Sequence, residues 1–490
     1  MTRKNLSILI IGVALIIISV WQIANAQKGL EVISLHTTNP PATIIAPSSS
    51  APTPRPTVLI AHGLAGSMQL MRGFALTLAH AGYTTISWDF EGHGSNPNPF
   101  VLNSDEKDLL QNAETALAEA ASTGLIDPQH IAILGHSMGS GVALLYGINH
   151  PNTHSTIAIS PVKQSVTSTL PHNLLLMAGS VEPQFVANAQ ELLSMAGGDN
   201  GDFADGTARK LVVVPNVEHI SILFSPNAHT AARMWLDETF GQQPGAEDYN
   251  DRRILWFGIG ILGFILLSNA ILNSLPASTI PTVHSGPLWL KLIGLIGGGV
   301  LATTILYLVG LFGVNISQVL GFLVGGYIVI WFSLAGLFSL IIIRPRIPIP
   351  TGKSLFMGLV GFMALWLGVG LLGNYVWLPW LLIPARFWLW IPATIVIFPW
   401  FLSFGEAAKM AKTSSQIGWW LTQVIVVVGS LYLALMINPE LGFLFLILPI
   451  FPIMLGLNML IISPKHGSWA YAIPGAMFTS WLLLSAFPLL

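Results

Sequence analysis

The segment Gly135-His136-Ser137-Met138-Gly139 holds a serine between two glycines, directly after the apolar run 131–134. An apolar strand followed by G-x-S-x-G and then by a helix is the pattern of a nucleophile elbow. We expect both glycines to be required, because a side chain at either position would clash with neighbouring backbone in so sharp a turn. The turn would lift the Ser137 hydroxyl clear of the sheet and aim the next helix N-terminus at a developing oxyanion.

Glu182 and His219 each follow a later apolar run that reads as a strand, 174–177 and 211–214 respectively. The carboxyl ends of parallel strands gather reactive groups at one edge of a sheet, so we expect these residues to meet Ser137 there. The order serine, acid, histidine is the one expected for this architecture. His219 would take the Ser137 proton and return it to the leaving group, while Glu182 would hold the imidazole tautomer.

Three other carboxylates compete with Glu182 for the acid role, namely Asp199, Asp202 and Asp205. They lie in a glycine-rich stretch between a predicted helix and a predicted strand. Such a stretch is more typical of a solvated turn, so Glu182 remains the preferred acid.

An oxyanion hole needs two backbone N–H donors. Met138, the residue after the nucleophile, would supply one of them. His62-Gly63-Leu64 follows the apolar run 58–61, and we expect the second donor to be the N–H of Leu64. In this interpretation His62 orders the oxyanion loop, Gly63 shapes it, and His136 lines the pocket.

The elements that must position these groups alternate along residues 31–241. The predicted strands include residues 58–61, 83–88, 131–134, 157–159, 174–177 and 211–214. The predicted helices include residues 67–81, 104–122, 184–195 and 226–240, with Ser104 capping the second of them. Short apolar strands that alternate with helices predict βαβ units and a mainly parallel central sheet, hence an α/β fold.

These motifs resemble those of the α/β-hydrolase superfamily over residues 31–241. Within it, the elbow, the His62-Gly63 pair and the segment Asp89-Phe90-Glu91-Gly92-His93-Gly94-Ser95 are similar to the monoacylglycerol lipase and serine aminopeptidase group. That group usually has arginine where this chain has Glu91, and aspartate where it has Glu182. The resemblance implies an α/β-hydrolase fold and acyl-enzyme chemistry at Ser137.

Relatives in this group usually carry a cap insertion after the sixth strand. Here only residues 160–172 separate the two predicted strands at that place. We therefore expect no large cap on the sheet and an open site.

Composition divides the 490-residue chain into two parts. It is 53% hydrophobic and only 9% charged, whereas soluble domains are about 25% charged. Residues 254–490 are almost continuously apolar, which predicts an all-α transmembrane bundle. The absence of cysteine excludes disulfides and thiolate sites. The net charge of −2 gives no sign of a nucleic-acid partner, and no cofactor or metal site is visible.

The N-terminus reads as a targeting or anchoring segment, residues 1–27. Arg3 and Lys4 precede the apolar run 6–23, and Ala24-Asn25-Ala26 matches an A-x-A cleavage site. The run suits both a cleaved signal peptide and an uncleaved anchor. Both interpretations place the following domain outside the cytoplasm.

The predicted organisation is this segment, a hydrolase domain at 31–241, a linker at 242–253 and a membrane domain at 254–490. The membrane domain would hold about eight spans, at approximately residues 254–274, 289–312, 317–343, 354–373, 378–403, 417–437, 440–462 and 468–489. With the hydrolase domain outside, the loops 344–353, 404–416 and 463–467 are cytoplasmic and hold the lysines and arginines that the positive-inside rule requires.

Two kinds of charge depart from this simple picture. Arg252 and Arg253 lie at the outer end of the linker, against the positive-inside rule. Lys291, Glu406 and Glu440 lie near predicted span ends, where snorkelling to the interface would explain them. Arg386 lies in an irregular segment and is the one intramembrane charge that we flag for function.

The sequence therefore predicts a membrane-tethered serine hydrolase of the cell membrane, with its hydrolase domain on the extracytoplasmic side. The expected substrate is a small or lipid-derived carboxylic ester, since the bundle holds the site near the bilayer. A serine peptidase or a lipid acyltransferase of the same fold remains an alternative. A transporter or binding module with a fused hydrolase-like domain is a further alternative, although mid-bundle polar residues are sparse and no triad member is missing. Protein partners cannot be read from the sequence.

Overall fold

The computed structural model describes residues 2–35, 39–48, 54–101, 106–274 and 286–490. Within these ranges the chain forms two compact units. The first, here called the sheet unit, consists of Trp21–Trp256 together with Asn374–Pro379. The second, the helical unit, consists of the residues before Trp21 together with Phe257–Gly373 and Trp380–Leu490.

The sheet unit is built on eight strands. They are β1 (Leu30–Leu35), β2 (Ala42–Pro47), β3 (Arg55–Ala61), β4 (Thr84–Trp88), β5 (Ile126–His136), β6 (Thr153–Ile159), β7 (Leu174–Gly179) and β8 (Arg209–Val214). Their order in the sheet is β1-β2-β4-β3-β5-β6-β7-β8. β2 pairs antiparallel with β1 and with β4, and every later pair is parallel. The prediction of a mainly parallel sheet is therefore confirmed.

Both faces of the sheet are buried, which explains why its strands are short continuous apolar runs. Side chains alternate between the faces along each strand. In β5, Ala132 and Leu134 join one apolar cluster, while Ile131 and Ile133 join the cluster on the opposite face. The sheet therefore separates two layers of helices.

Five helices cover these faces, namely α2 (Arg72–His80), α3 (Glu106–Ala121), α4 (Met138–Asn149), α5 (Pro183–Met195) and α6 (Pro226–Phe240). Side chains of α2 and α6 belong to one core cluster, and those of α3 and α4 to the cluster across the sheet. Ser104, the expected cap of α3, lies outside the described residues. The connection between β6 and β7, residues 160–173, contains no helix, as the expected lack of a large cap requires.

Helix α2 is shorter than its sequence pattern, which predicted helix over 67–81. Asp89 is the cause, because its Oδ1 accepts the N–H of Met68 at 2.8 Å and holds that residue in a turn. The Gly66 N–H is bound to the carbonyl of Gly63 at 2.9 Å in the same loop. The helix begins only at Arg72, once these side-chain and turn contacts end.

The linker after α6 runs back along α2. The Glu247 N–H donates to the carbonyl of His80, at the C-terminal end of α2, with a distance of 2.7 Å. Tyr249 stacks on the His80 ring with centroids 4.2 Å apart. Asp251 reaches the N-terminal turn, where a Cβ on Gly73 would lie 3.2 Å from its Oδ2. The next helix, α7 (Arg253–Ser274), therefore begins beside the first turn of α2.

The helical unit contains most of α1 (Arg3–Asn25) and the helices that follow the linker. After α7 these are α8 (Leu288–Leu311), α9 (Gly325–Ile343), α10 (Gly352–Leu365), α11 (Leu372–Asn374), α12 (Pro384–Ala408), α13 (Gln416–Ile437), α14 (Leu444–Ile447), α15 (Ile450–Ile461) and α16 (Ser468–Ala486). Eight helical stretches among the described residues are long and apolar enough to span a membrane. One is α1, and seven lie between Arg253 and Ile461. The chain is a membrane protein by this criterion.

Glycines allow close packing within the helical unit. A Cβ on Gly298 of α8 would overlap Ser339 Oγ and the carbonyl of Ala335 on α9. A Cβ on Gly336 would overlap the backbone of Trp400 on α12. Small residues at helix contacts are typical of membrane bundles.

Glu406 and Arg386 of the helical unit are buried, and the snorkelling expected of Glu406 is wrong. Glu406 is 2% exposed, and its carboxylate binds Lys409 Nζ at 2.6 Å and the Ser468 hydroxyl. Arg386 is 1% exposed and donates through Nη1 to the carbonyls of Leu484 and Phe487. The carbonyls at the end of α16 lack partners inside that helix, so a buried guanidinium can satisfy them.

Candidate active site

Ser137 occupies the sharp turn between β5 and α4. Its backbone has φ 54° and ψ −119°, which is a strained conformation for any residue other than glycine. A Cβ on Gly135 would overlap the carbonyl of Gly139. A Cβ on Gly139 would lie 2.5 Å from the carbonyl oxygen of Ala61 on β3. The steric reason given for the two glycines is confirmed.

Ser137, His219 and Glu182 lie in one hydrogen-bonded row. The Ser137 hydroxyl lies 3.1 Å from Nε2 of His219. Nδ1 of the same ring lies 2.8 Å from Oε2 of Glu182. Nδ1 donates to the carboxylate, which leaves Nε2 with the lone pair that can accept the serine proton.

The loops that hold the acid and the histidine are bound to each other. Ser180 N–H donates to the Val214 carbonyl at 2.8 Å, and Val181 N–H donates to the Val217 carbonyl at 3.1 Å. A Cβ on Gly179 would overlap that same Val217 carbonyl. These contacts fix the distance between the backbone segments that carry Glu182 and His219.

Glu182 has a second anchor that the sequence did not reveal. Its Oε1 accepts the Gly179 N–H and, at 2.7 Å, the hydroxyl of Ser160. Ser160 follows β6 and has φ 46°, so it too leaves its strand through a strained turn. Its place after a parallel strand is the only sequence signal that could have identified it. The two donors hold one carboxylate oxygen so that the other faces His219.

Two neighbouring rings also contact the ring of His219. Phe185 of α5 stacks on it with centroids 4.3 Å apart. His136 lies 4.6 Å away on a tilted ring, and its Nε2 donates to the backbone carbonyl of His219 at 2.9 Å. The sequence placed His136 in the pocket lining, whereas in the structure it contacts the loop that carries His219.

His136 is neutral in the folded protein. Burial lowers its pKa well below the ordinary value, and the neighbouring His219 ring acts in the same direction. Its Nδ1 is buried and has no hydrogen-bond partner among the described residues. Protonation there would leave a buried cation without a counter-ion.

The His62-Gly63 turn lies against the nucleophile. A Cβ on Gly63 would be 3.1 Å from the Cβ of Ser137 and 3.0 Å from Nδ1 of His136. His62 Nδ1 donates to the Gly63 carbonyl at 2.8 Å, and its Nε2 accepts the Phe90 N–H at 3.1 Å. Burial lowers the pKa of His62, against the opposing charge of Asp89. A neutral His62 in a fixed tautomer therefore orders this loop.

The two expected oxyanion donors are available. Across the described ranges, neither the Leu64 N–H nor the Met138 N–H has a hydrogen-bond acceptor within the protein. Met138 is the first residue of α4, where the helix leaves its N–H groups unsatisfied. The assignment of Leu64 and Met138 as an oxyanion hole stays a prediction.

Asp89 has a structural role. Its Oδ1 accepts the Met68 N–H, and its Oδ2 accepts both the N–H and the hydroxyl of Ser95. A Cβ on Gly94 would overlap this carboxylate. These contacts order the loop after β4 rather than reach Ser137.

Residues 52–205 match the family described as serine aminopeptidase, S33. This match is consistent with the strand order and with the sharp turn at Ser137 described above. The sheet unit has an α/β-hydrolase fold. The matched residues of this hydrolase domain include Ser137, Ser160 and Glu182 but end before His219.

Two curated relatives are similar to parts of the hydrolase domain. The chain is 30% identical over 107 residues to the monoacylglycerol lipase of Mycolicibacterium smegmatis, across 22% of this chain and 38% of the lipase. It is 28% identical over 119 residues to the quorum-quenching protein AidA of Acinetobacter baumannii, across 24% of this chain and 39% of AidA. Each match therefore spans less than two thirds of the relative.

We predict that Gly135→Ala will cost at least about 3 kcal/mol of folding stability, because the new methyl group meets the Gly139 carbonyl inside the elbow. Thermal unfolding and yield of the purified full chain measure this. Gly258→Ala is the matched control, because a Cβ there meets no atom within 4 Å. Equal melting temperatures for the two variants would contradict the steric argument.

We predict that Ser160→Ala will lower kcat about tenfold, because Glu182 loses one of the donors that fix its carboxylate. KM should stay unchanged, since Ser160 lies behind Glu182. Steady-state hydrolysis of p-nitrophenyl butyrate measures both constants. Ser155→Ala on β6, the strand that Ser160 follows, should keep wild-type kinetics, because the Ser155 hydroxyl binds the Asn173 carbonyl. A wild-type kcat in Ser160→Ala would refute the positioning role.

We predict that the protein loses stability as the pH falls below about 6.5, the ordinary pKa of histidine. There the unfolded chain binds a proton at His136 that the folded chain excludes, because burial holds the folded pKa well below that value. For this residue the slope reaches at most about 1.4 kcal/mol per pH unit, and no effect remains at higher pH. Urea unfolding at pH 7.5 and 5.5 measures it.

His136→Gln should show a smaller loss between these two pH values, because glutamine keeps a donor and cannot titrate. His130→Gln, at a ring that is half exposed, should lose stability as the wild type does. If His136→Gln and the wild type lose equally, His136 does not carry the effect.

Proposed function

We propose that this protein is a membrane-bound serine hydrolase that cleaves carboxylic esters through a Ser137-His219-Glu182 triad. The observation that carries the proposal is the row of contacts from Ser137 Oγ to His219 Nε2, at 3.1 Å, and from His219 Nδ1 to Glu182, at 2.8 Å. The strained elbow at Ser137 supports it. The similarity to a protein named monoacylglycerol lipase favours an ester over a peptide.

In the first half-reaction the Ser137 hydroxyl attacks the ester carbonyl while Nε2 of His219 takes its proton. Glu182 stabilises the imidazolium that forms, without being protonated itself. The negative charge on the tetrahedral oxygen would be held by the N–H groups of Met138 and Leu64. His219 then gives the proton to the departing alcohol, which leaves an acyl group on Ser137.

In the second half-reaction a water molecule replaces the alcohol. His219 takes a proton from the water as its oxygen attacks the acyl carbon. Collapse of the second tetrahedral intermediate returns the proton to Ser137 and releases the carboxylic acid. The described connection between β6 and β7, residues 160–173, contains no helix, which suits the entry of water.

We place the hydrolase domain on the extracytoplasmic side of the cell membrane. The lysines and arginines of the loops 344–353, 404–416 and 463–467 support this orientation. Arg253, one of the two exceptions, binds both oxygens of Asp251, at 2.8 Å and 2.6 Å. Its charge is therefore paired, which weakens the objection that it raises.

The division into residues 1–27, 31–241, 242–253 and 254–490 stays part of this proposal, with the bilayer and a small or lipid-derived ester as partners. A serine peptidase or a lipid acyltransferase would use the same triad. The acyltransferase would leave the acyl group on a lipid, whereas the hydrolase releases free acid.

Fluorophosphonate labelling of intact cells with a membrane-impermeant probe tests the site and its orientation together. We predict labelling of the wild type and none of Ser137→Ala, because only an activated serine reacts with this probe. Ser140→Ala is the matched control, since that hydroxyl binds the Ser137 carbonyl and not His219; it should still be labelled.

Labelling that requires cell lysis would overturn the extracytoplasmic orientation. Folded wild-type protein that stays unlabelled in both preparations would overturn the hydrolase proposal in favour of a binding module.

A further inference from the structure

Arg72 is a cation that the proposed chemistry does not use. It is the first residue of α2, eight residues after Leu64 on the segment that follows the oxyanion turn. Its guanidinium carries five N–H donors. Across the described ranges none of these donors has a hydrogen-bond acceptor within the protein. A half-buried arginine with free donors needs an anion or water to satisfy them.

Asp251, the carboxylate whose charge acts on Arg72, already accepts hydrogen bonds from other residues. Asp251 accepts from Arg253 Nε at 2.8 Å, from Arg253 Nη2 at 2.6 Å and from the Tyr249 hydroxyl at 3.1 Å. Burial and the neighbouring charge of Arg253 lower the pKa of Arg72 to about 10. Arg72 and Arg253 thus carry two positive charges against the single carboxylate of Asp251, which leaves a net positive charge in this cluster.

The backbone at this point also offers unused donors. The N–H groups of Gly73 and Phe74, in the first turn of α2, have no backbone acceptor among the described residues. A helix N-terminus favours an anion through these groups and through its dipole. His229 lies against the same turn, with its Cε1 and Nε2 each 2.9 Å from the position of a Gly73 Cβ, and its Nε2 donates to the Leu223 carbonyl. It is 3% exposed, and its Nδ1 has no partner in the described part of the chain.

The cluster lies at the edge of the sheet where the parallel strands end. We call this edge the catalytic edge, because Ser137 and His219 follow strands that end there. Helix α2 begins after β3 and the oxyanion turn, and α6, which carries His229, begins after the loop of His219. It also lies where the chain enters a membrane-length helix, because Arg253 is the first residue of α7. Lipid headgroups occupy the level at which such helices begin.

We propose that Arg72 and the first turn of α2 bind the phosphate of an anionic phospholipid at the catalytic edge. Arginine suits phosphate because its planar guanidinium can donate two parallel hydrogen bonds. Bound in this way, the lipid would present its acyl ester to the same edge of the sheet as Ser137. The substrate class then follows, namely phosphate-bearing glycerolipids.

The catalytic half of this proposal rests on the proposed function. Water would add across one acyl C–O bond, releasing a fatty acid and a lysophospholipid. The phosphate diester stays intact, because the headgroup only anchors the lipid. No oxidant, metal or co-substrate is needed.

The test compares hydrolysis of phosphatidylglycerol with hydrolysis of diacylglycerol by the full chain in mixed micelles. The wild type should prefer phosphatidylglycerol, and Arg72→Gln should lower that rate ratio about tenfold, because one charge-assisted pair is lost. Arg72→Lys keeps the positive charge but lacks the planar guanidinium, so its rate ratio should fall between those of the wild type and Arg72→Gln. Lys210→Gln is the matched control for charge, at an exposed position near the start of β8, and should keep the wild-type ratio.

A binding measurement separates this proposal from the proposed function. Native mass spectrometry of Ser137→Ala, which cannot turn over, should show retained phosphatidylglycerol, and Ser137→Ala/Arg72→Gln should show several-fold less. Retention that depends on Arg72 without any ester hydrolysis would keep the headgroup site and refute the hydrolase.

An unchanged rate ratio and unchanged retention in Arg72→Gln would overturn the headgroup site while leaving the hydrolase intact. Inorganic phosphate alone distinguishes the source of the anion. If it displaces the lipid at low concentration, the site is one for free phosphate and the lipid assignment is wrong.

Discussion

The strained backbone of Ser137 is the constraint on which the candidate site depends. A φ of 54° with ψ −119° costs about 1–3 kcal/mol, and the surrounding chain must hold it. Gly135, Gly139 and Gly63 allow this, since each lets backbone approach within a distance that a side chain would prevent. The turn of β5 into α4 then exposes the hydroxyl, and no described residue accepts the Met138 N–H beside it. The proposed nucleophile and oxyanion donor therefore come from one local geometry.

Two buried, neutral histidines support that geometry. His62 and His136 are buried, and burial lowers the pKa of each. Each ring can therefore use one nitrogen as a donor to a fixed carbonyl, of Gly63 in one case and of His219 in the other. A charged ring at either place would lose more through desolvation than these hydrogen bonds return. The same burial that keeps them neutral makes them rigid supports.

The sequence could predict what depends on local pattern. The elbow glycines, the apolar strands and the order of Ser137, Glu182 and His219 have fixed spacings, and they led to the fold and to the residues that meet at the site. Ser160 was missed because its contact with Glu182 depends on β6 and β7 lying side by side. The burial of Arg386 was missed because hydropathy does not reveal that the α16 carbonyls would face it.

The path of the linker follows from the same parallel architecture. Helix α6 ends at the edge of the sheet opposite the site, because helices in βα units run antiparallel to their strands. A helix that followed α6 directly would begin at that opposite edge. Instead the chain returns along α2, bound at His80 and ending at Asp251 beside Gly73. This return places Arg253, the first residue of α7, near Arg72 at the start of α2, where each guanidinium feels the charge of the other.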